Sequence, residues 1–136
     1  MAGYSGTPLE KKLGIKENFH LAIVNAPNGF DRQLEMPAGV VINSKGKKML
    51  DFVLLFVESR RELEKSFSHY SAKLKPAGIF WISWPKKSSG VASDLTDNVV
   101  REIGLAKGMV DVKVCAIDEV WSGLKFVFRL KDRKLS

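Results

Sequence analysis

The chain is short of the residues that staple small folds together. Of its 136 residues one is cysteine and two are histidine. A single thiol cannot close an internal disulfide, and Cys115 stands in a strand-like run with no Cys or His at ligand spacing. A disulfide scaffold and a zinc site are therefore set aside, and a packed thiol is expected. Long apolar runs are also missing. Runs such as Phe52 to Val57 fall far short of the about 20 residues a membrane helix needs. The amino-terminal Met-Ala-Gly-Tyr-Ser has no basic region leading into an apolar core, so the chain reads as a soluble, cytoplasmic protein. Neither a repeat nor a low-complexity tract breaks the pattern.

What is present is ordinary globular composition, 45% apolar and 27% charged, with a formal net charge of +7. The length suits one domain over residues 1–136, able to bury about two thirds of its unfolded surface, with 1–6 and 131–136 as loose ends. A positive field attracts anions, so nucleic acid, an anionic small molecule and an acidic protein are all possible partners. Simple solubility explains the charge equally well. The basic residues are spread over many segments and not gathered in one run, which counts against nucleic acid.

Thr7-Pro8-Leu9-Glu10 combines a capping hydroxyl, an early helical proline and a glutamate, which predicts a short helix that Gly14 ends. Phe19 to Val24 is continuously apolar, as expected of a strand covered on both faces. A short helix is expected within Asn28 to Glu35 and a strand over Val40 to Asn43. Asp51 to Val57 repeats the buried-strand pattern and runs into a second capping box, Ser59 with Glu62. The helix it opens carries Leu63, Phe67, Tyr70 and Leu74 on one face, and Pro76 with Gly78 stops it. A third buried strand spans Ile79 to Trp84. The following helix carries Leu95, Val99, Ile103 and Ala106 and ends at Gly108. The alternating runs Val110 to Val114 and Leu124 to Phe128 predict an antiparallel hairpin. Buried strands alternating with helices imply right-handed crossovers. The fold class is therefore α/β, a three-layer, mostly parallel Rossmann-like sheet of about six strands with a carboxyl-terminal antiparallel hairpin.

Leu13-Gly14-Ile15-Lys16 followed by Phe19 to Gly29 resembles the entry to the first strand and cofactor loop of class I, S-adenosylmethionine-dependent methyltransferases. Asp51 to Leu54 is similar to the fourth strand of that fold, Leu74 to Gly78 to the lead into the fifth, and the hairpin to its closing pair. The resemblance implies a shortened version of that topology, because Val24 to Asp51 leaves room for one strand too few. At the cofactor loop, where the family has an acid and three alternating glycines, this chain has Ile23, Asn25, Pro27 and Gly29. Proline lacks the amide and adds a ring where backbone must approach a ligand. No acid stands at Asn43, Ser44 or Lys45, where the family binds the ribose. The expectation is no cofactor, with S-adenosylmethionine unlikely. Ser5-Gly6-Thr7-Pro8, Ser83 to Val91 and Asp118 to Lys125 resemble a bacterial family called domain of unknown function 3052, which assigns no activity.

In open α/β sheets ligands bind beyond the carboxyl ends of the strands, where Asn25 to Gly29, Pro85 to Gly90 and Asp118 to Ser122 are expected to meet. Lys86, Lys87, Ser88 and Ser89 offer cations, hydroxyls and amides to an anion just before a helix, although a solvated connection has the same composition. Trp84 and Trp121 are placed to flank a planar ligand, with Glu119 or Asn25 as polar contacts, or else to close the end of the core. His20 and His69 have no triad partners nearby in sequence, and Asp94, Asp97, Asp118 and Glu119 suit caps and a hairpin loop better than catalysis or a metal. The expectation is a non-catalytic binding or regulatory module. A divergent methyltransferase and a weak nucleic-acid binder are the alternatives.

Overall fold

A computed structural model describes residues 7–42 and 49–133 of the chain. Six strands form one sheet in the order β2-β1-β3-β4-β6-β5: β1 (His20–Val24), β2 (Val41–Ile42), β3 (Leu50–Phe56), β4 (Leu74–Pro85), β5 (Met109–Ala116) and β6 (Trp121–Phe128). The pairs β1–β2, β1–β3 and β3–β4 are parallel, and β4–β6 and β5–β6 are antiparallel. This is the mixed α/β sheet expected, mostly parallel with an antiparallel carboxyl-terminal pair.

Strand alternation divides the core between the two faces of the sheet. On one face Val53, Leu55, Phe80, Ile82, Trp84, Leu124 and Phe126 pack beneath α2 (Arg60–Ser71) and α3 (Asp97–Ala106), which contribute Leu63, Phe67, Val100 and Ile103. On the other, Leu21, Phe52, Leu54, Phe56, Trp81 and Trp121 pack beneath α1 (Leu9–Leu13) and the segment around Phe30. Both faces of β3 are covered, which is why its sequence shows no alternation.

The local signals act as their chemistry requires, with four differences. Ser59 Oγ accepts the Glu62 amide at 3.1 Å, while Glu62 Oε1 accepts the amide of Glu58 at 2.9 Å, one residue earlier than a simple capping box. At α1 the N-cap position is taken by Pro8 and no side chain caps it; Glu10 instead turns back and accepts the amide of Glu35 at 3.1 Å. The expected helix after β1 is a 3-10 turn over Phe30–Gln33. Leu74, expected to continue the α2 stripe, begins β4 opposite Leu50, because the helix ends at Ser71 and the strand runs through Pro76.

Five residues make a helix too short to persist alone. The helix α1 is held from below: Trp81 Nε1 donates to the carbonyl of Leu13 at 2.8 Å inside the core, and Gly14 closes the helix at φ 89. A 3-10 turn spans Leu130–Arg133, reaching into the expected loose end at 131–136, and in it Arg133 Nε donates to the Phe128 carbonyl at 2.8 Å. Residues 1–6, with Ser5-Gly6, the expected second-strand end at Asn43 to Lys45, and residues 134–136 lie outside the described residues. Among the described residues no helix is long and apolar enough to cross a membrane.

Candidate functional site

Beyond the carboxyl ends of the parallel strands, Pro85 to Gly90 is bonded to Asp118 to Ser122, and the 3-10 turn that follows Asn25 to Gly29 reaches the latter. Asn25 follows β1 in the left-handed conformation, φ 60, and its Nδ2 donates to the carbonyl of Phe56 at the end of β3, 3.5 Å away. Phe30 packs edge-on against Phe56 at 4.9 Å, and Phe56 edge-on against Trp121 at 5.0 Å. Gln33 Nε2 donates to Asp118 Oδ2 at 3.2 Å, while Asp118 Oδ1 accepts the amides of Val120 and Trp121, each at 2.8 Å. The Lys86 amide then donates to the Val120 carbonyl at 2.8 Å, tying the second segment to the third.

Two cavities open at this edge, on opposite faces of the sheet. One, of about 340 Å³, lies on the α1 face between β1, β2 and the 3-10 turn. Its walls are Ile23, Phe30, Leu34, Met36 and Ile42, and its rim is the Ala26–Gly29 backbone with Asp31. Gly29 takes φ 82, and a Cβ built there meets nothing within 4 Å, so the rim is open above it. Asp31, on the turn after β1, places a carboxylate at this rim, a position that no sequence pattern singled out. Apolar walls with a few polar groups are what small-molecule sites of 300 to about 1,000 Å³ present.

The second cavity, of about 320 Å³, lies by the start of α3 and is lined by Trp84, Lys86, Lys87, Leu95, Thr96, Asp97, Val114 and Ser122. Asp97 sets a carboxylate beside the two lysines and Thr96 Oγ1 is taken by the Val99 amide at 3.2 Å, so little of the anion-binding potential of this helix end is left open. Ser89 Oγ is likewise absorbed in its own turn, donating to the Lys86 carbonyl at 2.6 Å and accepting the Val91 amide at 3.2 Å. Ser88, Lys87 and Glu119 are exposed, and Lys86 is half-buried.

The eight residues singled out from sequence are thus not brought together around one ligand. Trp84 pairs with Ser122 and Pro85 with Trp121, which places the two tryptophans on opposite faces, one in each core cluster. They are 5% and 9% exposed and serve as core, so they do not flank a common planar ligand. Asn25 is the member of the set beside the first cavity.

The remaining polar candidates have structural employment. Asp94 Oδ1 accepts the Arg60 amide at 2.7 Å at the start of α2. His20 is different: it begins β1, at the opposite end of the sheet, where Asp51 accepts its backbone amide at 2.8 Å and pairs with Lys75 at 2.9 Å, while its imidazole Nδ1 is buried without a hydrogen-bond partner. His69 packs edge-on against Tyr70 on α2. Burial pushes the Cys115 thiol up, more than Lys12 and Lys113 draw it down, so it stays protonated and a poor nucleophile.

No protein-family model matches the chain, and no curated protein matches it in sequence. Solved structures do. DhpI in complex with S-adenosylhomocysteine superposes with a TM-score of 0.61 at 9% identity, over 88% of this chain and 81% of that one. Precorrin-6y C5,15-methyltransferase from Geobacter metallireducens gives 0.58 at 8% identity over 89% and 86%. Magnesium protoporphyrin IX methyltransferase from Synechocystis with bound S-adenosylmethionine gives 0.57 at 9% identity over 89% and 74%.

The fold is that of the class I methyltransferases.

Among the described residues β2 is the outermost strand on its side of the sheet, in keeping with the short Val24 to Asp51 segment. Across the similar structures the chain spans from 47% to 86% of their length. The expectation of no cofactor, with S-adenosylmethionine unlikely, is overturned by similar structures that carry S-adenosylmethionine or S-adenosylhomocysteine. That expectation took missing glycines for a missing turn. In the structure Asn25 and Gly29 supply two left-handed positions, and Asn tolerates that conformation better than other side-chain-bearing residues. Pro27 sits between them without closing the cleft.

Proposed function

We propose that the chain is a divergent S-adenosylmethionine-dependent methyltransferase whose cofactor sits in the cavity between β1, β2 and the 3-10 turn. The observation that carries this reading is the cavity itself, open at the carboxyl end of β1 over a loop bent by left-handed Asn25 and Gly29 and rimmed by the Asp31 carboxylate. The non-catalytic module has less in its favour, since Trp84 and Trp121 lie on opposite faces of the sheet and Lys86 and Lys87 share their cavity with the Asp97 carboxylate.

The residues present suit such a cofactor. Phe30, Leu34, Met36 and Ile42 offer an apolar wall to a purine, and the Asp31 carboxylate accepts hydrogen bonds from ribose hydroxyls or an ammonium group. S-adenosylmethionine, when bound, supplies an electrophilic methyl group on a sulfonium. The chain's part is to hold it and orient it toward the open carboxyl edge of β3 and β4.

Isothermal titration calorimetry with S-adenosylmethionine and S-adenosylhomocysteine tests the assignment. Saturable binding at micromolar to sub-millimolar ligand is expected. Asp31→Asn should weaken it about tenfold, the scale of one lost charge-assisted hydrogen bond. Gly29→Val, strained at φ 82, should weaken it further. No heat of binding at millimolar ligand would sink the proposal.

A further inference from the structure

A net charge spread thinly along the sequence is concentrated by the fold. On the α1 face, Lys113 of β5 and Lys125 of β6 stand directly opposite each other across the antiparallel pair. Like charges directly opposite on one face destabilise a sheet. Two more lysines close on the pair from α1 and the turn after it. Lys12 Nζ donates to the Ala116 carbonyl at 3.5 Å, and Lys113 Nζ reaches the Lys12 carbonyl at 3.4 Å. Lys16 follows Gly14, which lies beneath the Lys125 ammonium. Burial, then Lys113, then Lys16 all push the Lys125 ammonium below the ordinary lysine range. None of the four is in an ion pair among the described residues, where the pairs are Arg60–Glu64, Lys75–Asp51 and Arg101–Asp111.

An arrangement that costs stability in the free protein, brought together from distant parts of the chain, calls for an anion larger than one side chain. Exposed Lys16 and Lys113 and half-buried Lys12 and Lys125 are thus brought together from α1, the turn after it, β5 and β6. That composition matches repeated phosphates better than a single compact ligand, and reads charge without sequence. We propose that Lys12, Lys16, Lys113 and Lys125 form a docking surface for the phosphate backbone of a nucleic acid. The surface shares its face of the sheet with the cavity by β1 and none of its lining residues, so it stands or falls independently of the cofactor assignment.

The test is fluorescence anisotropy with a labelled single-stranded RNA of about 20 nucleotides, titrated with the full chain over a salt series. Binding at low salt with a linear fall of log K against log salt is expected. Replacing Lys12, Lys16 and Lys113 together by Gln should reduce the slope by about 2, since each single-strand phosphate contact contributes about 0.7. The same three positions changed to Arg keep the charge and should keep the binding, which separates lost contacts from a lost fold. A control removing the same charge from the opposite face, Arg61, Lys65 and Lys107 to Gln, should leave most of the slope intact. The proposal is overturned if RNA does not bind at low salt or if the control loses as much as the surface variant. It is equally overturned if tripolyphosphate displaces RNA at stoichiometric concentration, which would mark a compact anion site.

Discussion

Lys125 shows how one side chain records the strain of a whole face. Its position was legible: Leu124, Phe126 and Phe128 alternate with Lys125 and Arg129, so the lysine had to leave the α2–α3 side of the sheet. Its neighbours were not, because the pairing of Lys113 with Lys125 depends on a register shift between Asp111 and Lys113 that leaves Val112 as an extra residue. The titration of this ammonium fixes the sign of a pH effect. Folding lowers its proton affinity, so between the folded and unfolded values the unfolded chain binds more protons and stability rises with pH. The penalty is therefore present at neutral pH and disappears as pH climbs toward the unfolded lysine value, about 10.4. Lys125→Met should be more stable than the parent near neutrality, by a margin that narrows as pH rises toward that value. Urea unfolding at several pH values measures the margin, and one that stays constant would show that packing and not charge is responsible. Asn25 teaches a related lesson. The shape of its loop turns on backbone conformation, which asparagine permits, and the absence of glycine letters concealed it.

Among the elements, α2 was the most legible and its cap shows where legibility stopped. Ser59 and Glu62 lie three apart, the spacing that lets a hydroxyl reach an orphan amide, so the helix start could be read locally. Asp94 caps the same helix start from 34 residues away through the Arg60 amide, and only the packing of the segment before α3 against α2 brings it there. Ser59→Ala should cost about 1 kcal/mol and Asp94→Ala a similar amount. Because both act on one helix end, the double variant should lose less than their sum. Chemical denaturation of the three variants decides this; strict additivity would mean the two caps act on independent structures. Strands covered on both faces were readable from unbroken apolar runs, but which face each aromatic occupies was not. Trp84 and Trp121 were expected to flank one ligand, yet the antiparallel register sets them back to back. Asp31 was not singled out for a comparable reason: only a short helix was expected over Asn28 to Glu35, whereas a 3-10 turn carries its carboxylate to the rim of the cavity.

At the scale of the molecule the excess of seven positive charges acts through its distribution. Three ion pairs among the described residues neutralise lysine or arginine on the α2–α3 face and at the start of β3, and none serves the α1 face. Folding therefore gathers repulsion that the extended chain avoids, and salt should relieve it. The Debye length falls from about 10 Å at 0.1 M to about 3 Å at 1 M, below the spacing of opposed lysines on paired strands. Sodium chloride over that range should raise Tm by a few degrees, each kcal/mol of relieved repulsion being worth about 3 °C for a domain near this size. General salt effects on hydrophobic burial act on any chain of this composition, so the discriminating measurement is the difference between proteins. A variant with Lys113 and Lys125 both changed to Gln should begin with the higher Tm and gain less from salt, while the Arg61, Lys65 and Lys107 control should gain as much as the parent. Equal gains in all three would show that the opposed lysines carry no repulsion of their own. The cost that motivates a nucleic-acid surface there would then be absent from the free protein.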